Sequence, residues 1–190
     1  MKISLSWIKE FVDLSGISTD EIVSQLTMSG LEVEDVVDQS NLYKNFIVGF
    51  VRETEKHPNA DKLTICKVFD GTADLQVICG AANVKAGQKI VFAPIGTVIP
   101  NGNFVIKKAK IRGVESNGMI CAEDELLLSD DHSGIMVLDE QLEAGKPITE
   151  VLNLNDVILE IAITPNRPDA LSHIGVARDV ATLFDRELKI

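Results

Sequence analysis

Lys107, Lys108, Lys110 and Arg112 fall within six consecutive positions of a 190-residue chain. Cations at that spacing suit one chemistry above others, the neutralisation of a run of phosphates. Flanked by Val105, Ile106, Ala109 and Ile111, they read as part of a β-strand. On a period of two, Ile106, Lys108, Lys110 and Arg112 share one face, and Val105, Lys107, Ala109 and Ile111 the other. Three cations on one strand face can follow a nucleic-acid backbone, each neutralised phosphate adding salt-sensitive affinity through counterion release. The same pattern also suits an ordinary solvated strand. Aromatic side chains for stacking on bases are few: seven Phe, one Tyr and one Trp. Phe92 and Phe104 suit a core as well as a stacking surface.

Other chemistries find less support. His57, His132 and His173 form no HxH, HExxH or HxxxH pairing, and Cys66, Cys79 and Cys121 form no CxxC pair, so no zinc site is expected. Three widely spaced cysteines fit buried thiols in a reducing compartment. Neither a GxxxxGK[ST] nor a GxGxxG stretch is present to cradle a nucleotide. No GxSxG or compact Ser/His/Asp arrangement supplies a nucleophile. The acidic runs Glu123–Glu125 and Asp130–Asp131 read as solvated loops. The chain is expected to have no active site of its own. It has neither a signal-peptide pattern at its start nor an apolar run of about 18 residues, so neither secretion nor a membrane is expected.

A formal charge of −11 argues at first against a polyanionic partner. Its distribution argues otherwise. From Tyr43 to Arg112 there are eleven basic and five acidic residues, a balance of +6; from Gly113 to Glu150 there are one and ten, a balance of −9. Residues 1–40 and 151–190 together carry six basic and fourteen acidic residues, or −8. A basic stretch is hidden inside an acidic total.

The elements that must hold these residues follow from patterning. Ser4 or Ser6 can cap a helix over Trp7–Asp13. Ser18 and Glu21 fit a capping box that opens a second helix ending near Gly30, followed by a strand from Leu31. From Phe46 the chain breaks into short apolar runs: Ile47–Glu53, Leu63–Phe69, Leu75–Cys79, Lys89–Ala93, Val105–Ile111, Gly118–Ala122 and Ile135–Leu138. HisProAsn at 57–59, AspGly at 70–71, ProAsnGlyAsn at 100–103 and Gly113 punctuate them. Such a run of strands fits an OB-like barrel. Val157–Ile163 then reads as a buried strand. A last helix starts at Asp169 or Ser172, with Leu171, Ile174, Ala177, Ala181 and Phe184 on one apolar face. The expected architecture is α+β: a discontinuous α+β domain, residues 1–40 and 151–190, with an OB-fold β-barrel of residues 41–150 inserted in it.

Four motifs occur in order: HisProAsnAlaAspLysLeu (57–63), CysGlyAlaAlaAsnVal (79–84), LysIleArgGlyValGluSerAsnGlyMetIleCysAlaGluAspGluLeu (110–126) and ThrProAsnArgProAspAlaLeuSer (164–172). The first three resemble the tRNA-binding OB domains appended to methionyl synthetases and found as free-standing tRNA-binding proteins. The fourth, with the helical start, makes the whole chain resemble the N-terminal region of the bacterial phenylalanine–tRNA ligase beta subunit. That resemblance implies a tRNA-binding fragment of a longer subunit, with the remaining beta-subunit domains, the alpha subunit and tRNA(Phe) as partners. It implies an alpha2beta2 enzyme in the cytoplasm, and ATP and magnesium used by the full enzyme but not bound by this fragment. By the same resemblance the Ser-x-x-Met pattern and its basic neighbours form the RNA face: Ser116 and Met119, with Lys108, Lys110, Arg112 and Asn83. Ser116 equally suits a turn, and Met119 a barrel core. Arg167 is open to pairing with an acidic group of a partner domain. Two other roles stay open, a structural interface module without tRNA contact and a stand-alone tRNA-binding protein.

Overall fold

A computed structural model describes residues 1–190. In chain order the elements begin with β1 (Lys2–Ser4), α1 (Leu5–Phe11), α2 (Thr19–Met28), β2 (Glu32–Asp38) and α3 (Gln39–Leu42). Next come β3 (Ile47–Lys56), β4 (Thr64–Phe69), β5 (Asp74–Cys79), β6 (Lys89–Ala93), β7 (Val98–Ile99) and β8 (Phe104–Val105). They are followed by β9 (Ala109–Ile111), β10 (Val114–Ser116), β11 (Met119–Ile120), β12 (Val137–Leu138) and α4 (Ile148–Val151), and the chain closes with β13 (Val157–Ala162) and α5 (His173–Leu183). Two compact units result, residues 1–42 with 155–190, and residues 43–154. These boundaries lie two and four residues beyond the 40/41 and 150/151 that patterning predicts, the end of α3 filling the first gap and Val151 of α4 with the residues after it the second.

The outer unit is built on a three-stranded antiparallel sheet of order β1-β13-β2. Its helices start where side chains satisfy free backbone N–H groups. Ser4 accepts from Trp7 N, and Ser18 and Glu21 form the full capping box. Ile3, Ile8, Leu26, Leu31, Leu159, Ile161, Val176 and Val180 make a dry core. The apolar face of α5 keeps the expected Ala177, Ala181 and Phe184 but not Leu171. Ser172 is its N-cap, so Leu171 lies before the helix and is exposed, while Val176, Ala177, Val180 and Ala181 turn inward. Arg167 bonds to Asp169 and to Asp179 of α5 in its own unit, at 2.9 and 2.5 Å.

The inner unit is a nearly closed antiparallel barrel with strand order β11-β6-β3-β4-β5 and β12 also paired to β6. The run KIVFA of β6 is buried along Ile90–Ala93 because both its faces are covered. Ile90 and Phe92 join the barrel interior with Val68, Val77 and Ile120, while Val91 and Ala93 face a second cluster with Phe46, Ile99 and Ile148. Gly49 permits this packing, since a Cβ there would come within 2.6 Å of Ile90 Cδ1. A register shift between Val51 and Glu53 bends β3 toward closure. The far edge closes through Asn117 N donating to Gln76 O at 2.9 Å and Ile78 N donating to Ser116 Oγ at 3.1 Å. No helix is long and apolar enough to cross a membrane.

Candidate nucleic-acid interface

The expected cationic strand is two strands and a linker. Ile106 is buried, its N–H donating to Thr97 O and its carbonyl accepting from Gly96 N, both at 2.8 Å. Those bonds end the pairing of β8 with β7, and Lys107 and Lys108 then lead into a separate hairpin. In that hairpin β9 pairs with β10 through Ile111↔Val114, Lys110↔Glu115 and Ala109↔Ser116. Arg112 (φ 51°) and Gly113 (φ 91°) form its two-residue turn. Positive φ at both central positions is the turn signature that matches strand twist. The period-two face of Ile106, Lys108, Lys110 and Arg112 therefore does not form: only Lys110 lies in a strand, and Arg112 sits at the tip.

Charge on the hairpin is uneven. Lys108 Nζ lies 3.0 Å from Glu115 Oε2, both side chains being about half exposed. Screened by solvent, such a pair contributes roughly 0–1 kcal/mol. Lys107, Lys110 and Arg112 are exposed and form no ion pair. The hairpin is anchored to β5 by Gln76 Nε2 donating to Glu115 O at 2.8 Å, besides the bonds that close the barrel.

Ser116 and Asn83 have their polar atoms engaged. The buried Ser116 hydroxyl accepts from Ile78 N and donates to Gly118 O. Asn83 Nδ2 donates to Ile135 O at 3.0 Å while its Oδ1 accepts from Ile135 N at 2.9 Å, a pair of bonds that ties one loop to another. Met119 is half-buried and lines an open cleft of about 550 Å³ with Gly80, Ala82, Ile120, Glu125 and Gly134. Burial, with a smaller contribution from Asp124, raises the Glu125 carboxyl above its ordinary range, although Ala122 N donates to it at 2.7 Å. Phe92 is in the core, whereas Phe104, three residues before Lys107, is about half exposed. Two other aromatic rings are covered by the unit's own cations, Phe69 by Arg52 and Phe50 by Lys89.

Sequence patterning did not reveal one contact of this hairpin. The buried His57 places Nε2 3.1 Å from Ile111 O, its Nδ1 accepts from Asn59 N at 3.1 Å, and Asn59 Nδ2 donates to Arg112 O at 3.3 Å. The partners are 54 and 53 residues apart, beyond any local pattern; the only signal was that HisProAsn belongs to the same recognisable motif set.

No three His, Cys, Asp or Glu residues converge on a possible metal position. His57 and His173 are engaged with backbone, His173 accepting from Ser4 N. All three thiols are buried and free. Burial pushes Cys66 up to about 12 and raises the other two, so none is a ready thiolate.

Residues 46–147 match the family model described as "Putative tRNA binding domain". Over all 190 residues the chain is 51% identical to the phenylalanine–tRNA ligase beta subunit of Fusobacterium nucleatum, covering 24% of it. It is 53% identical to that of Chlorobaculum tepidum over 95% of this chain and 23% of the relative. The chain thus spans about a quarter of the length of the curated relatives it matches. A solved MetRS related protein from Pyrococcus horikoshii is 22% identical over 60% of this chain and 98% of its own, at a TM-score of 0.45, too loose to add to the assignment. The chain belongs to the tRNA-binding domain family, and the relatives it resembles along its whole length are phenylalanine–tRNA ligase beta subunits.

Proposed function

We propose that this chain is a non-catalytic tRNA-binding and assembly section of a phenylalanine–tRNA ligase beta subunit, acting in the cytoplasm on tRNA(Phe). Lys110 and Arg112 neutralise phosphates, with Lys108 contributing when RNA competes with Glu115 for it. Ser116 and Asn83 hold the strands and loops on which the contacts lie, and Met119 offers an apolar contact beside them. ATP and magnesium serve the remainder of the enzyme. The observation that carries this reading is a hairpin of exposed, unpaired cations inside the matched tRNA-binding region.

Titration of the chain with tRNA over a salt series tests it. Binding should weaken with salt, and Lys110→Ala and Arg112→Ala should each flatten the slope of log affinity against log salt by about 0.7–0.9. Absence of binding at low salt would overturn the reading. The assembly role has its own support in the outer unit, where Trp7 and Leu171 are 57% and 61% exposed. Large apolar side chains left in water are common at interfaces. The occupants proposed are the alpha subunit or later beta-subunit domains within an alpha2beta2 enzyme. Capture of the chain by purified alpha subunit without tRNA checks the first of these.

A further inference from the structure

Two side chains of the HisProAsnAlaAspLys stretch, His57 and Asn59, reach the basic hairpin. The stretch forms a closed loop between β3 and β4: His57 N donates to Leu63 O at 3.1 Å, and Leu63 N to Ala60 O at 3.2 Å. From this loop the His57 ring meets Ile111 O and the Asn59 amide meets Arg112 O, so consecutive carbonyls at the hairpin tip are held by one loop. His57 is buried, and its two ring nitrogens are both engaged, one by the loop's own Asn59 N–H and one by the hairpin. Arg112 at φ 51° occupies a left-handed conformation that a long side chain disfavours. Strain of this kind persists where surrounding contacts over-determine it, and it clusters at functional sites.

The joining has a consequence for charge. Lys56 precedes His57 directly, and Lys62 lies three residues beyond Asn59. Both are exposed and, like Lys110 and Arg112, form no ion pair. Along the chain, three residues span at most about 10 Å. Lys62 is therefore tethered near the Arg112 carbonyl, and Lys56 near that of Ile111. A loop and a hairpin, each carrying two exposed cations, are thus joined through the Ile111 and Arg112 carbonyls, although 48 positions separate Lys62 from Lys110.

We propose that the loop of residues 56–62 is the second half of the RNA-contacting surface, Lys56 and Lys62 binding phosphates alongside Lys110 and Arg112, with His57 and Asn59 as the positioning residues that hold the two halves together. This rests on the tRNA-binding reading above. It adds a separate element, residues with an assigned role, and a polyanion contact wider than one hairpin.

The test uses the 190-residue chain and tRNA over a salt series. Lys62→Ala should flatten the salt slope by about 0.7–0.9, the change expected of Arg112→Ala. Lys146→Ala should leave it unchanged: Lys146 follows Gly145, which packs against Gly71 in the β4–β5 turn, at the other end of β4 from the loop. Asn59→Ala should reproduce part of the Arg112→Ala loss, and adding Arg112→Ala to it should cost less than the two separate losses combined. That coupling is a readout a general loss of stability would not produce. His57→Ala is the stronger variant, and Asn59→Ala keeps the test decisive if His57→Ala does not fold. Wild-type slope in Lys62→Ala, or additive losses in the double variant, would overturn the proposal while leaving tRNA binding intact. Failure of the wild-type chain to bind tRNA would instead overturn the reading on which it rests.

Discussion

Asp156 and Glu125 are two part-buried carboxylates that their surroundings push in opposite directions. For Asp156 burial raises the pKa, but bonds from Ser4 Oγ, Ser6 N and Oγ and Val157 N together outweigh it and hold the group below its ordinary 3.8. Its ionised form is therefore bound more tightly in the folded chain than in the unfolded one. The resulting stability is fully present above about 3.8 and is lost as pH falls through the lower folded value. Asp156→Asn should lower the urea midpoint at pH 7, and the gap from wild type should close in strong acid. Glu125 runs the other way. With its folded pKa above 4.5, the fold favours the protonated form, and stability is lost as pH rises from 4.5 through the folded value. Glu125→Gln should raise the urea midpoint at pH 7 and do little at pH 4. Removing a negative charge from the cleft beside Met119 should also strengthen tRNA binding at low salt.

In the β9–β10 hairpin, the proposed tRNA contact and stability make opposite demands on Arg112. Asn tolerates the left-handed conformation that Arg112 adopts and is favoured at the first position of this turn. Arg112→Asn should therefore stabilise the barrel by about 1 kcal/mol, read as a higher midpoint in urea, while weakening tRNA binding through loss of a cation. A variant both less stable and weaker-binding would show that the arginine side chain supports the fold. The same hairpin marks the limit of what patterning could convey. The Ser18–Glu21 capping box was legible because its partners are three residues apart, and β4, β5 and β6 were legible because turn residues bound each apolar run. Residues 105–111 alternate as one strand should. What divides them is the bonding of Ile106 to Gly96 and Thr97, and Arg112 gives no local sign of a left-handed turn. Lys2–Ser4 was missed because three residues carry no period; its partner in the sheet is β13, some 150 residues on. At the site, residue types were legible and their engagements were not. A turn role for Ser116 is legible, but its bond to Ile78 and that of Asn83 to Ile135, 38 and 52 residues distant, leave no local sign.

Insertion explains how an acidic chain can keep a basic hairpin within its matched tRNA-binding region. The inner unit begins and ends at paired positions: Ile47 bridges Pro147, and Val48 N donates to Lys146 O at 2.8 Å. The outer unit is likewise closed where the insertion leaves it, Asp38 pairing with Val157 and Gln39 N donating to Asp156 O at 3.0 Å. Each unit has its own apolar core, the outer one around Ile8 and Leu159 and the inner one around Phe46 and Phe92. Residues 43–154, cut out alone, should therefore fold cooperatively, with thermal unfolding reporting a single transition. They carry twelve basic and fifteen acidic residues, a balance of −3 against −11 for the chain. Removing the outer unit thus removes a net −8 from the field that an approaching tRNA meets. Exposed charges act over about 10 Å at 0.1 M salt and about 3 Å at 1 M. The excised barrel should consequently bind tRNA more tightly than the full chain at low salt, with the two affinities converging as salt rises. Equal affinities at low salt would mean that the acidic outer unit lies outside the range of the bound RNA. Weaker binding by the barrel would mean that the outer unit contributes contacts of its own.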